Sequence, residues 1–241
     1  MSVLLKDGFL SLKKDILQLS ITDALNKLYE AFPGKVVFST SFSYEDQVIT
    51  DFISRSAPVQ IFTLDTGRLF PETYATWTRT LERYELNIQA YYPNEADLKQ
   101  FVSLNGPNAF YQSTDLRKNC CTIRKVHPLK KALAENAVWI TGLRAQHSAN
   151  RNDLQILDWD ETNQIIKYNP LLNWTTEQVR NYIEEENVPY NSLHDRGFVS
   201  IGCAPCTRAI KPGEDFRAGR WWWEDENKKE CGLHVHTISS K

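Results

Sequence analysis

Two cysteines stand side by side in RKNCCTIRKVHPL (117–129), Cys120 and Cys121, and a second pair, Cys203 and Cys206, lies in GCAPCTR. The fifth cysteine, Cys231, is alone in KKECGLHVH, near His234 and His236. An odd cysteine count in three local groups of a 241-residue chain is not the pattern of a short, disulfide-stapled secreted protein, and points to metal or redox chemistry. Cys-X-X-Cys is a common ligand pair for zinc and iron–sulfur sites, whereas adjacent cysteines are unusual in structural zinc sites, so the combined spacing favours a cluster. Four thiolates carry more negative charge than a four-iron four-sulfur core offsets, and Arg117, Lys118, Arg124, Lys125 and Arg208 lie close in sequence to supply cations. Adjacent residues on a helix point about 100° apart, so Cys120 and Cys121 share one cluster only if their helix distorts locally. Buried inert cysteines, a redox-active Cys203–Cys206 pair and a vicinal disulfide are the competing readings. Cys231 reads either as a stray surface thiol or as a nucleophile whose thiolate is favoured by a neighbour such as His234.

Three other segments suit an anionic ligand. STSFSYEDQ (39–47) gathers Ser39, Ser41, Ser43 and Asp46 at a strand-to-helix junction, where hydroxyls and free N–H groups suit phosphate or sulfate. It lacks the glycines and Lys of a Walker loop, and plain helix capping gives the same residues. LDTGRLFPETY (64–74) ends a strand with Leu64, Asp65 and Thr66, whose backbone and side chains can read a nucleoside, although Gly67 and Pro71 are also ordinary punctuation. GLRAQHSANR (142–151) offers Arg144 and Arg151 on what reads as a flexible loop, for an anion or for rim salt bridges.

The elements that position these segments follow from periodicity. KVVFSTSF (35–42), VQIFTLD (59–65), IQAYYP (88–93) and AVWITGLR (137–144) read as buried strands, and helical patterns at 45–55, 71–84 and 113–136 alternate with them. The expected fold is α/β, an open, mostly parallel sheet flanked by helices, with ligands beyond the carboxyl ends of the strands where strand order reverses. Residues 154–161 and 164–172 read as a β-pair, and 175–187 as a helix capped by Thr175 or Thr176. Beyond Val188 the pattern decays, and the last thirty residues read as a mobile tail, giving a main domain over 1–210 and a tail over 211–241. A net charge of −2 argues against a surface devoted to nucleic acid or acidic lipid. The charged N-terminus offers neither a signal peptide core nor a membrane span, so a cytoplasmic protein is expected.

Taken together, SFSYED, LDTGRLFPETY, CCTIRKVHPL, GLRAQHSANR, GCAPCTR, RAGRWWWE and KECGLH resemble the assimilatory sulfonucleotide reductases, specifically the iron–sulfur-containing adenylyl-sulfate (APS) reductases, over nearly the whole chain. The resemblance implies an adenine nucleotide α-hydrolase-like (Rossmann-like) fold. It implies that Cys231 attacks the sulfur of APS, expelling AMP and leaving an S-sulfocysteine from which thioredoxin or a similar dithiol releases sulfite. It also implies that Cys120, Cys121, Cys203 and Cys206 hold a 4Fe-4S cluster that takes no electrons in turnover. Lys125 couples that cluster to the sulfate in this reading, and Arg144, Arg151, Arg217 and Arg220 are its candidate cations for neutralising nucleophile and substrate. Trp221 to Trp223 read first as packing residues for the tail, with a share in a thioredoxin docking face as the alternative. A homo-oligomer is implied, with no nucleic acid or membrane partner. The nearest alternative is a phosphoadenylyl-sulfate (PAPS) or dual APS/PAPS reductase, since members specialised for PAPS generally lack the four cluster cysteines. SFSYED in place of the superfamily's glycine-rich SGG form argues against an ATP-dependent PP-loop ligase or thiolation enzyme, and a non-enzymatic metal-binding module would leave Cys231 dispensable.

Overall fold

Alternating short β-branched runs with amphipathic helices commits a chain to parallel strands crossed over by helices, and the sheet has that form. The computed structural model describes residue 9 and residues 12–147 and 154–225. Its strands are β1 (Val36–Thr40), β2 (Gln60–Leu64), β3 (Ile88–Tyr91), β4 (Val138–Ile140), β5 (Leu157–Asp160) and β6 (Ile165–Tyr168), in the order β3-β2-β1-β4-β6-β5. All neighbours are parallel except β5, which closes the edge antiparallel to β6 as the expected β-pair. Strand order reverses between β1 and β4, which places the ligand crevice at their carboxyl ends.

Side chains alternate across the sheet with period two. Phe38, Ile61, Ile140 and Ile166 enter the larger core, whereas Val37, Phe62, Trp139 and Ile165 pack on the opposite face against Leu129 and Leu133. The helices are α1 (Ile21–Ala31), α2 (Tyr44–Ser54), α3 (Pro71–Tyr84), α4 (Glu95–Asn105), α5 (Thr114–Cys121), α6 (His127–Leu133) and α7 (Thr176–Glu185). Thr175, not Thr176, caps α7 in a reciprocal box with Gln178. Helices α1 and α4 were not expected from periodicity, yet each carries a start signal: Ser20 accepts from the Asp23 N–H, and Asn94 from the Asp97 N–H. Among the described residues no helix is long and apolar enough to cross a membrane.

Candidate functional site

The β1 loop is organised by one carboxylate. Ser41 donates both its backbone N–H and its hydroxyl to Asp46 Oδ2, at 2.6 and 2.7 Å. Ser43 begins α2 without capping it, and its hydroxyl is a further hydrogen-bond partner of Asp46. Burial pushes the Asp46 carboxyl up to about 6, against these hydrogen bonds, which favour the charged form. The other oxygen, Oδ1, packs against Gly142 at the end of β4 so closely that a Cβ there would collide with it. Asp46 therefore joins the two strand ends at the crevice, holding Ser41 through Oδ2 while Oδ1 lies against Gly142. Phe42, at the centre of the loop, takes a left-handed φ of 60°. That conformation costs an L-residue about 1–2 kcal/mol, offset here because the fully buried Phe42 ring stacks on Trp77 at 5.5 Å. Ser39 turns away from the loop and accepts a 2.8 Å hydrogen bond from Trp139 Nε1.

Arg144 corrects an expectation. It is buried rather than poised on a flexible loop, with Nε on Glu45 at 2.9 Å and its Nη atoms donating to Gln146, the Trp174 carbonyl and Thr176, each at 3.0 Å. A guanidinium so engaged ties the β4 loop to α2 and α7 and has little left to offer a ligand. Arg151 lies outside the described residues.

The β2 loop faces both ways. Leu64 is half-buried beside the smaller core. Asp65 accepts from the Gly67 N–H (2.8 Å) and the Tyr74 hydroxyl (2.9 Å), closing a turn in which Gly67 has φ 69°. Thr66 then reaches the cysteines: its hydroxyl lies 3.3 Å from Cys203 Sγ, and its carbonyl accepts from Arg124 Nη1 at 2.5 Å.

Cys120, Cys121, Cys203 and Cys206 line one cavity. Cys120 and Cys121 end α5, and the helix distorts immediately afterwards into a π-helical turn, Thr122–Val126, in which the His127 N–H donates to the carbonyl five residues back. Pro128, in the first turn of α6, has no N–H to continue an α-helical ladder. This wide turn carries Arg124 and Lys125, both buried, to the cavity wall, where Arg68 and Arg117 join them. Among the described residues no three His, Cys, Asp or Glu side chains converge tightly enough to hold a single metal ion; the four thiols border a space instead. Burial pushes the Cys206 thiol up to about 12, with Cys203 adding and Lys125 and Arg220 opposing. Burial also raises Cys120, against the cations Arg124 and Arg68.

The described part of the expected 211–241 tail, up to Asp225, is fastened to this cradle. Trp221 is buried at φ 41° between cations, with Arg117 at 4.6 Å, Arg220 at 4.9 Å and Arg217 at 5.8 Å from its ring. Arg117 is also held by Glu224 in a buried two-pronged pair at 2.9 and 2.7 Å. Arg220 lies flat on Gly202, with no room for a Cβ, and Thr207 pairs with Arg220 in an isolated β-bridge. Trp223 packs on Tyr111 at 4.4 Å, so the expected packing role holds for Trp221 and Trp223, whereas Trp222 is partly exposed. Cys231 and His234 lie outside the described residues.

Sequence reasoning missed Phe110, which joins the cradle from a segment with no motif of its own, and gave no role to Glu224, the last residue of RAGRWWWE. Arg68, in a motif read for ribose or phosphate contact, lines the cysteine cavity instead.

Comparison with known proteins agrees with the fold. The model of the phosphoadenosine phosphosulfate reductase domain matches residues 35–209. A curated protein of Burkholderia cepacia named adenosine 5'-phosphosulfate reductase is 50% identical over 85% of this chain and 82% of its own length. Its namesake in Agrobacterium fabrum is 50% identical over 84% of this chain and 78% of its own. The crystal structure of the phosphoadenylyl-sulfate reductase of Candida auris, a phosphate complex, superposes with a TM-score of 0.71 at 31% identity, covering 85% of this chain and 97% of that one. Yeast FAD synthetase, with a TM-score of 0.52 at 18% identity over 83% of this chain and 67% of its own, shares the fold.

Proposed function

The chain belongs to the phosphoadenosine phosphosulfate reductase family, and from that membership we propose that it reduces adenosine 5'-phosphosulfate to sulfite and AMP. The observation that carries the choice of substrate is the roughly 50% identity to proteins named for that activity over most of the chain. The four-cysteine cradle supports it.

Two half-reactions balance the chemistry. The Cys231 thiolate forms a bond to the sulfur of the substrate, the sulfur–oxygen bond to AMP breaks, and AMP leaves with the electron pair. A dithiol of the thioredoxin class then attacks Cys231 Sγ, sulfite departs with the S–S bonding electrons, and the second thiol resolves the mixed disulfide. The dithiol is oxidised, the substrate sulfur is reduced by two electrons, and Cys231 is regenerated. Cys231 lies six residues beyond Asp225, so the packed segment holding Trp221 and Glu224 keeps it within about 20 Å of Asp225.

Cys120, Cys121, Cys203 and Cys206 are the residues that hold a 4Fe-4S cluster in this reading. What supports the fit is four thiols around one space, with Arg68, Arg117, Arg124 and Lys125 on its walls to balance thiolate charge. Bound, the cluster supplies a fixed charge beside the sulfate subsite. Lys125 orients and neutralises the sulfonyl group as the thiolate approaches, and Asp46 holds the serine loop in place for the nucleotide.

The test is anaerobic sulfite release with thioredoxin, supplying APS and PAPS in parallel, with Cys231→Ser as control. Release preferentially from APS, lost in the variant, is expected. A preference for PAPS transfers the assignment to that nucleotide, and no release from either rejects the reductase reading.

A further inference from the structure

Arg68 belongs to the β2 loop, yet among the described residues its side chain turns to the cysteine cradle. Its carbonyl accepts a 2.8 Å hydrogen bond from the Ala204 N–H, inside the Cys203–Cys206 loop. Its guanidinium lies 5.2 Å from the Phe110 ring and donates to Asn108 Oδ1 at 3.1 Å, on the 3₁₀ turn that leads into α5 and its two cysteines. Phe110 is buried against Cys121, Cys203, Cys206 and Trp221. One residue thus touches both halves of the cradle, main chain to one cysteine pair and side chain to the segment carrying the other, while its charge lines the shared cavity.

Its partners are also electrically unlike those of its neighbour. Arg117 shares its charge between Glu224 and the cavity, whereas among the described residues the contacts of the Arg68 guanidinium are a neutral amide and an aromatic face. A cation held by neutral partners keeps its full charge for whatever anion occupies the space it borders.

We propose that Arg68 is a positioning residue of the cysteine cradle, clamping the two cysteine pairs together and contributing positive charge that retains an iron–sulfur cluster. The inference rests on the cluster reading above. Among the described residues no contact of Arg68 reaches the serine loop, although its backbone N–H donates to Thr66 Oγ1 at 3.2 Å in the neighbouring turn, so cluster retention rather than turnover is the readout.

The experiment uses the full chain, reconstituted anaerobically with iron and sulfide, as wild type, Arg68→Met and Arg68→Lys. Iron and acid-labile sulfide per chain, the half-life of the visible cluster absorbance in air, and the thermal midpoint with and without iron are measured. Wild type is expected to hold four irons, and Arg68→Met to lose its absorbance several-fold faster. The iron-dependent rise in thermal midpoint should shrink in Arg68→Met while the iron-free midpoint stays near wild type. Arg68→Lys restores charge without the flat, forked guanidinium, so its half-life should fall between the two. An Arg68→Met protein with wild-type cluster lifetime overturns the inference while leaving the cluster reading intact. A wild-type chain that takes up no iron overturns both. If Arg68→Met fails to fold, the Lys variant decides alone, and a wild-type lifetime there rejects the clamp.

Discussion

Asp46 is the residue on which the β1 loop turns, and its environment makes a signed prediction. Its carboxyl is raised by burial from 3.8 to about 6, so the folded chain binds this proton more tightly than the unfolded one. The stability it contributes is therefore greatest at low pH and is lost as pH rises from about 4 to about 6, a swing on the order of 3 kcal/mol. Asp46→Asn should remove that slope, which urea unfolding of both proteins between pH 4.5 and 7 would read; parallel slopes would place the titration elsewhere. Gly202 makes a second prediction. A Cβ there would stand 2.6 Å from Arg220 Cζ, so Gly202→Ala should cost about 1–3 kcal/mol by forcing the guanidinium off the loop, measured as a fall in the unfolding midpoint. Serine, cysteine and arginine types announced the chemistry in the sequence, but not their partners. Arg144 reads like Arg220 along the chain, and only the fold gives the first to Glu45 and the second to Trp221 and Gly202.

Two irregular elements carry the site. The π-turn after Cys121 was legible because adjacent cysteines cannot share a target on a regular helix, and Pro128 interrupts the ladder nearby. That Trp221 packs was legible, but not what anchors its segment, because the anchors are long-range: Glu224 meets Arg117 across 107 residues, a pairing with no local periodicity. Arg117 is completely buried, so Glu224→Ala should remove its carboxylate partner and cost about 3 kcal/mol. Denaturant unfolding measures the loss, and a cost below 1 kcal/mol would show that the segment is not anchored this way. Helices α1 and α4 carried legible capping signals at Ser20 and Asn94; α1 also carries a regular apolar stripe through Ala24, Leu25 and Leu28 that was legible and passed over, whereas the stripe of α4 around Phe101 is weak.

At the scale of the whole molecule, strand and helix alternation was enough to place the crevice, since β1 and β4 diverge at the reversal of the sheet and bring SFSYED and Gly142 together. The sheet alone does not explain why a cysteine cradle sits beside that crevice. The β2 loop does, with Asp65 closing its turn, Thr66 touching Cys203 and Arg68 spanning both cysteine pairs. The serine loop's crevice and the cysteine side are thus joined through the β2 loop, and Cys231 follows the packed segment that ends at Asp225 in the chain. The most direct test of the account is a single turnover without reductant: the intact chain is mixed with APS, released AMP is counted, and the Cys231 peptide is weighed. The account predicts about one AMP per chain and a Cys231 heavier by one SO3 group, both absent in Cys231→Ser. AMP release that persists in that variant, or an SO3 group carried on any other residue, would contradict it.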